Sequence, residues 1–176
     1  MTLQPQQPAL AAELLQHLDL GNRARGARTG GYLRTLDLDE VRAADNANSQ
    51  WFRNVLDALK RWPGHALVGD RAGRAAWLIA QRAEHDRALQ ERCLALLTPA
   101  AAAKTADPRH LAFLTDHYMV TGGLAQLFGT QYGPEGILPV HDPDHLNDRR
   151  LAHGLCPLPL YALPEQPRPH LLAGTL

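Results

Sequence analysis

The chain has 176 residues, of which 45% are hydrophobic and 20% are charged, and this composition is typical of one globular domain rather than a disordered chain. Lys plus Arg and Asp plus Glu both number 18, so the formal net charge is zero, which argues against broad attraction to nucleic acid or to an anionic membrane. The sequence has no apolar run near the roughly 20 residues of a membrane span and no secretory signal pattern in its first residues, so we expect a cytoplasmic protein.

Helical patterns fill the first hundred residues. Leucines at helical spacing predict a short amphipathic helix over 8–20, and 21–31, with four glycines and three arginines, predicts a connector. Phosphate contact by the arginines is an alternative, but nucleic acid is an unlikely partner because no aromatic residue is interleaved for stacking. Asp37 or Asp39 is expected to cap a helix that Trp62-Pro63-Gly64 terminates. Asp70 is expected to cap a long central helix over 71–97.

The second half contains two more start signals and an irregular segment. Asp107-Pro108 predicts a helix that runs to about Thr121, and Asp142-Pro143 predicts a short one that ends at Gly154. Between them, 124–140 has no helical period and is expected to be irregular or a short hairpin. We therefore predict an all-α, single-domain helical bundle over 1–155. The proline-rich remainder, 156–176, is expected to be an extended tail or a polyproline-type ligand for a protein partner.

The first candidate cluster lies in the central helix and comprises Gln81, Glu84, His85, Asp86 and Gln90. Gln81 and His85 are four residues apart and share a face. Asp86 and Gln90 fall in line with the apolar stripe, where an unpaired polar group is costly. They are therefore candidates for a site or for a buried network. Asp86 has a structural alternative, because it could cap a second helix if the long one breaks near His85.

The second candidate cluster comprises His110, Asp116 and His117. His110 and His117 are seven residues apart, which places them on one helical face. A metal site would need further ligands from elsewhere, such as His85, His141 and Asp142. The sequence has no HExxH, paired CxxC or Glu-x-x-His motif, so we predict no metal and regard surface histidines as the alternative.

The third candidate cluster is the irregular stretch from Gln126 to Tyr132, which includes Thr130 and Gln131. Its amides and hydroxyls suit the orientation of a polar ligand, but they suit equally well the task of satisfying loop backbone. The phosphate-binding and serine-nucleophile motifs GxGxxG, GxxxxGK[ST] and GxSxG are missing. Cys93 lies on an apolar helical face, so its pKa is expected to be raised rather than lowered. No cofactor is therefore predicted.

Three stretches together resemble an uncharacterised bacterial family of helical domains of unknown function: WPGHALVGDRAGRAAWLIAQRAEHDRALQERCLALL, PRHLAFLTDHYMV and QLFGTQY. The resemblance covers about 41–155 and implies a helical domain without implying an activity. Family residues align with Gln81, Gln90, Asp116, Gln126 and Gly129-Thr130-Gln131. The chain departs from the family pattern at Arg82 (His in the family), Glu84 (Asp), His117 (Arg) and Phe128 (Tyr).

Two functions remain open at this stage. The first is a small-molecule enzyme of specialised metabolism, of hydrolase, cyclase or isomerase type, that uses acid–base chemistry. His85 or His117 would be its base and Asp116 the orienting partner. Gln81, Gln90, Gln126, Thr130, Gln131 and Tyr132 would bind its substrate. The second is a non-catalytic module that binds a ligand or a protein.

Overall fold

The computed structural model describes residues 5–26 and 37–159. Over these ranges the fold is all-α, as predicted, with one very small sheet. The helices are α1 (Pro8–Ala24), α2 (Leu38–Leu59), α3 (His65–Val68), α4 (Asp70–Arg82), α5 (Arg87–Ala102), α6 (Pro108–Thr121) and α7 (Leu146–Ala152). The strands β1 (Tyr132–Gly133) and β2 (Gly136–Ile137) form an antiparallel hairpin, and a 3₁₀ turn (Pro143–His145) precedes α7. No helix within the described ranges is long and apolar enough to cross a membrane.

Several helices begin where carboxylates predict them to begin. The side chain of Asp37 accepts hydrogen bonds from the backbone N–H groups of Asp39 and Glu40 at the start of α2. Asp107 accepts one from the N–H of Arg109, with Pro108 at the first position of α6. In both cases the carboxylate pairs with a backbone donor that has no partner inside the helix.

Two other capping predictions are wrong. Gly69 occupies the cap position before α4, with a φ of 82°, and Asp70 is the first helical residue. Asp142 has a left-handed backbone and makes no side-chain capping bond. At both positions an acidic residue precedes or opens a helix, but its side chain does not reach the free N–H groups.

The predicted central helix over 71–97 is two helices, α4 and α5. The capping alternative for Asp86 is confirmed, because its Oδ1 accepts a hydrogen bond from the N–H of Leu89 at 3.0 Å. Arg53 of α2 pairs with the same carboxylate. Burial opposes ionisation of Asp86, yet the hydrogen bonds from Arg53 and Leu89 outweigh it and leave the pKa below its ordinary value. The paired carboxylate of Asp86 therefore caps α5 and marks the break between α4 and α5.

The first helix is longer than predicted. It continues through Gly21 to Ala24, and Arg23 pairs with Asp19 one turn earlier, at 2.5 Å. Arg25 pairs with Asp45 of α2, at 2.6 Å. Two of the three arginines of the predicted connector are therefore bound to carboxylates of the protein, while Arg28 lies outside the described residues.

The main core surrounds α4, which contacts α1, α2, α3, α5 and α6. A face of small residues on α4 lets these neighbours approach closely, and large side chains from the other helices fill the space between them. The buried small residues of α4 are Ala72, Ala75, Ala76 and Ala80, and the largest core side chains include Phe52, Leu14, Leu56, Leu97 and Leu114. Six helices, α1 to α6, thus share one apolar core.

The segment after α6 packs against the outer face of that helix. Phe128 and Leu155 cluster with Ala112, and Ile137 clusters with Val140 and Leu146. The first residues of the proline-rich tail are attached to this layer, because Leu158 exchanges two backbone hydrogen bonds with the Asn147 side chain at 2.9 and 2.8 Å. The rest of the tail, 160–176, lies outside the described residues.

Candidate functional site

Asp116 of α6 is fully buried and organises the loop that follows the helix. Its Oδ1 accepts hydrogen bonds from the N–H groups of Leu127 (2.8 Å) and Phe128 (2.9 Å). Its Oδ2 accepts from the N–H and the hydroxyl of Thr130, both at 2.9 Å. Both carboxylate oxygens are occupied by loop donors, and no histidine is among these partners of Asp116.

The side chain of Gln126 also binds backbone groups of the segment that follows it. Its Nε2 donates to the carbonyl oxygens of Gln131 (3.0 Å) and Leu138 (2.8 Å), and its Oε1 accepts from the N–H of Gln131 at 2.8 Å. The Gln131 amide donates to the Thr130 hydroxyl at 3.1 Å, while Tyr132 is 62% exposed. Of the two interpretations of this stretch, these contacts favour the satisfaction of loop backbone.

Gln81 on α4, Gln90 on α5 and His117 on α6 make contacts with residues at the end of α4 and in the turn after it. Gln90 is fully buried, and its Nε2 donates to the carbonyl oxygens of Ala80 (3.3 Å) and Gln81 (3.2 Å). His117 Nε2 lies 3.2 Å from Glu84 Oε1, although the angles do not form a hydrogen bond. Gln81 Oε1, Gln90 Oε1 and His117 Nε2 are buried without a hydrogen-bond partner within the described part of the chain. Two of the departures from the family pattern, Glu84 and His117, thus contact each other.

The three residues expected to perform catalysis do not form one group. His85 is exposed in the turn between α4 and α5, His117 faces Glu84, and Asp116 is committed to the loop. In the described ranges, no three His, Cys, Asp or Glu side chains are grouped as metal ligands. The catalytic roles given to these residues remain predictions without a supporting contact.

A cleft of about 1010 Å³ opens at the end of the bundle where α4 and α6 begin and α5 ends. Aromatic, basic and small residues line it together. They are Trp62, Gly64, His65, Asp70, Gly73, Arg74, Trp77, Ala101, Ala102, Lys104, Ala106, Asp107, Pro108, Arg109, His110, Phe113 and Ala152. A concave site with an aromatic wall and a few polar groups has the character of a small-molecule pocket.

Trp77 and His110 form the central feature of the cleft. Their rings are stacked with centroids 4.5 Å apart and an interplanar angle of 4°, and Phe113 meets Trp77 edge-on at 6.0 Å. Burial lowers the pKa of His110 below its ordinary value, opposed by Asp107 and assisted by the positive charge of Arg109. The stacked imidazole is therefore biased towards its neutral form, and Trp77 Nε1 is buried without a hydrogen-bond partner among the described residues.

The charged residues of the cleft divide into paired and unpaired groups. Asp107 and Arg109 form an ion pair at 2.6 Å, and the hydrogen bond from Arg109 lowers the pKa of Asp107. Arg74 and Lys104 are exposed and form no ion pair or side-chain hydrogen bond within the described ranges. The cleft therefore carries two cationic groups that are available to a ligand.

The same seam between α4 and α6 joins the cleft to the Gln81–His117 junction. Trp77 and Gln81 are four residues apart on α4, and His110 and His117 are seven apart on α6, so each pair shares a face. Sequence patterns identified His110 but not Trp77, because an indole at helical spacing is usually a core residue. Its role is visible only where α4 packs on α6.

Fold and site together define a single-domain all-α protein with an aromatic, partly cationic cleft. The chain belongs to a family of unknown function, DUF6624, which matches residues 35–165. This match confirms the resemblance to an uncharacterised domain family that the motifs indicated. No curated protein and no solved structure matches the chain.

Proposed function

We propose that this protein binds a small organic molecule in the cleft at the beginning of α4 and α6. The observation that carries the proposal is the Trp77–His110 stack beside two unpaired cations, Arg74 and Lys104. Flat aromatic surfaces bind planar groups through dispersion and apolar burial, and unpaired cations favour an anionic group. The ligand class that fits both features is a planar molecule that carries a carboxylate or a similar anion.

The helix ends at the cleft add to this preference. Both α4 and α6 point their N-termini, the positive ends of their dipoles, towards it. Asp70 and Asp107 partly offset this field, so the anion's main partners are the side chains of Arg74 and Lys104. Exposed ion pairs contribute little, and most of the affinity would come from the aromatic wall.

A second candidate function is acid–base catalysis on the bound molecule, without an organic cofactor. It is favoured by His110, whose lowered pKa keeps the imidazole neutral and able to accept a proton near neutral pH. His65 contributes a second imidazole to the lining of the cleft. In this version the base lies at His110 rather than at His85 or His117.

Ligand-detected NMR with aromatic carboxylates, such as benzoate and nicotinate, tests the binding proposal. The chain offers a matched control, since Trp51 stacks on His17 at 3.8 Å and 12° outside the cleft. We expect wild type and His17→Gln to bind the same probes, His110→Gln to bind them at least about 5-fold more weakly, and Arg74→Gln to bind them about 2- to 3-fold more weakly. Equal binding by all four proteins, or no binding by wild type, would contradict the proposal.

A further inference from the structure

A separate polar cluster is buried where α1, α2 and α4 meet, away from the cleft. Three residues of one face of α2 belong to it, namely Asp45, Asn48 and Ser49, which are 9%, 4% and 3% exposed. Arg25, the residue after α1, binds Asp45 through two hydrogen bonds, at 2.9 and 2.6 Å. Arg82 of α4 donates to Asn22 of α1, at 2.9 Å. Three helices thus contribute polar side chains to one buried region.

Nitrogen donors converge on the backbone of α1 at Gly21. A Cβ atom placed on Gly21 would lie 3.2 Å from Asn48 Nδ2, 3.3 Å from Arg82 Nη1 and 3.6 Å from Arg25 Nη1. Glycine in a helix costs about 1 kcal/mol relative to alanine, so a glycine here needs a compensating reason. The absence of a side chain lets an amide and two guanidinium groups approach the same point of α1.

Two polar atoms of this region have no partner. Ser49 Oγ and Arg82 Nη1 are both buried and make no hydrogen bond with any described residue. Ser49 is one helical turn after Asp45, so it lies on the same face of α2. A buried donor without an acceptor is costly, which indicates that an acceptor is missing from this region.

The charges of the buried polar cluster also indicate that a negative acceptor is missing. Among the described residues, the carboxylate near Arg25 and Arg82 is that of Asp45, so these three residues carry a net positive charge in a partly buried location. Burial lowers the pKa of Arg82, and the positive charge of Arg25 lowers it further. An additional negative group would compensate both guanidinium groups and supply the missing acceptor.

We propose that this cluster, formed by Gly21, Asn48, Ser49 and Arg82 with Arg25 behind them, binds a small oxyanion. A phosphate or a carboxylate group has several oxygen acceptors and a negative charge, which match the guanidinium of Arg82 and the hydroxyl of Ser49. The Asn48 amide already donates to the His17 carbonyl oxygen at 3.1 Å, which leaves its second N–H for the ligand. Arg82 Nη1 and Ser49 Oγ would be its direct donors. The site is distinct from the cleft, which shares none of these residues.

Thermal unfolding in phosphate, in acetate and in chloride at matched ionic strength tests this proposal on the full chain. A ligand at ten times its dissociation constant raises the Tm of a protein of this size by about 3–6 °C. We expect phosphate or acetate to raise the Tm of wild type by this amount relative to chloride. The oxyanion that does so identifies whether the site takes a phosphate or a carboxylate group.

Three variants separate specific binding from a general salt effect. Arg82→Gln removes the free donor, and Gly21→Ala fills the space beside it while favouring the helix, so both should lose the oxyanion-dependent shift. Arg92→Gln, which breaks an ion pair with Asp57 elsewhere, should keep it. The proposal is overturned if wild type shows no shift, or if the shifts of Arg82→Gln and Gly21→Ala are as large as that of wild type. Circular dichroism of each variant confirms that its helices are intact.

Discussion

The carboxylate of Asp116 provides a direct test of whether the predicted site residues stabilise the fold. It accepts four close hydrogen bonds, from the N–H groups of Leu127, Phe128 and Thr130 and from the Thr130 hydroxyl, at 2.8–2.9 Å. Asp116→Asn keeps the size of the side chain but replaces one oxygen with an amide nitrogen, which cannot accept. Two of the four donors then face another donor.

The expected loss follows from the strength of these bonds. A hydrogen bond to a charged acceptor contributes about 1.5–3 kcal/mol, so two lost bonds should lower the free energy of unfolding by about 3 kcal/mol. In urea this corresponds to a midpoint about 1–2 M lower. Thr130→Val removes the hydroxyl, which donates to Asp116 and accepts from the Gln131 amide, and should lower the free energy of unfolding by about 1.5–3 kcal/mol.

Urea unfolding followed by circular dichroism measures this difference, and Asp148→Asn is the matched control. The Asp148 side chain is 83% exposed and lies 3.8 Å from His145, so its replacement should change stability by less than about 0.5 kcal/mol. Hydrogen exchange should also accelerate at the amides of Leu127, Phe128 and Thr130 in Asp116→Asn. If Asp116→Asn unfolds at the same urea concentration as Asp148→Asn, the structural role assigned to Asp116 is wrong.

Three further predictions concern other parts of the chain. The pKa of folded His110 lies below its ordinary value of 6.5, so below about pH 6.5 the unfolded chain binds more protons, and the free energy of unfolding should fall between pH 7 and 5. Urea titrations should show a smaller fall for His110→Phe than for wild type. An equal fall in the two proteins would contradict this prediction. Gly64→Ala would place a Cβ 2.2 Å from the Thr105 carbonyl oxygen, so chemical denaturation should show a loss of about 3 kcal/mol, whereas a loss under about 0.5 kcal/mol would refute the close packing. A thiol reagent should label exposed Cys156 rapidly and Cys93 only on unfolding, since burial raises the pKa of Cys93 to about 12; rapid labelling of both would show that the core opens.

Local sequence signals predicted most of the helices. The Asp37 and Asp107 caps and the glycine pair after Thr121 all act within a few residues of the chain. Such signals depend on nearest-neighbour hydrogen bonds and backbone conformations, so they survive without knowledge of packing. The same holds for the short hairpin, because its glycines interrupt every helical period. The predicted stop at Trp62-Pro63-Gly64 lies beyond the end of α2, which terminates at Leu59 with Lys60 in the left-handed conformation.

The sequence predicted the candidate site less well than it predicted the helices. The sequence pattern places Gln90 on an apolar helical stripe and Gln126 in an irregular loop, and both are fully buried. Their chemistry, however, was open to two interpretations, ligand contact and backbone support. The backbone contacts of Gln126 favour support, while the unpartnered Oε1 of Gln90 leaves one acceptor at the α4–α5–α6 junction.

The helical class, several helix boundaries and the membership of a family of unknown function follow from the sequence, whereas α3 was not predicted. Three further features follow only from the packing of the helices, because each depends on residues distant in the chain. Arg53 reaches Asp86 across 33 positions and supports the break of the central helix, and Trp77 stacks on His110 to form the cleft. Donor groups from two other helices approach the backbone of α1 at Gly21. Helical periodicity assigns a residue to a face, but only the packing of one helix on another determines what that face meets.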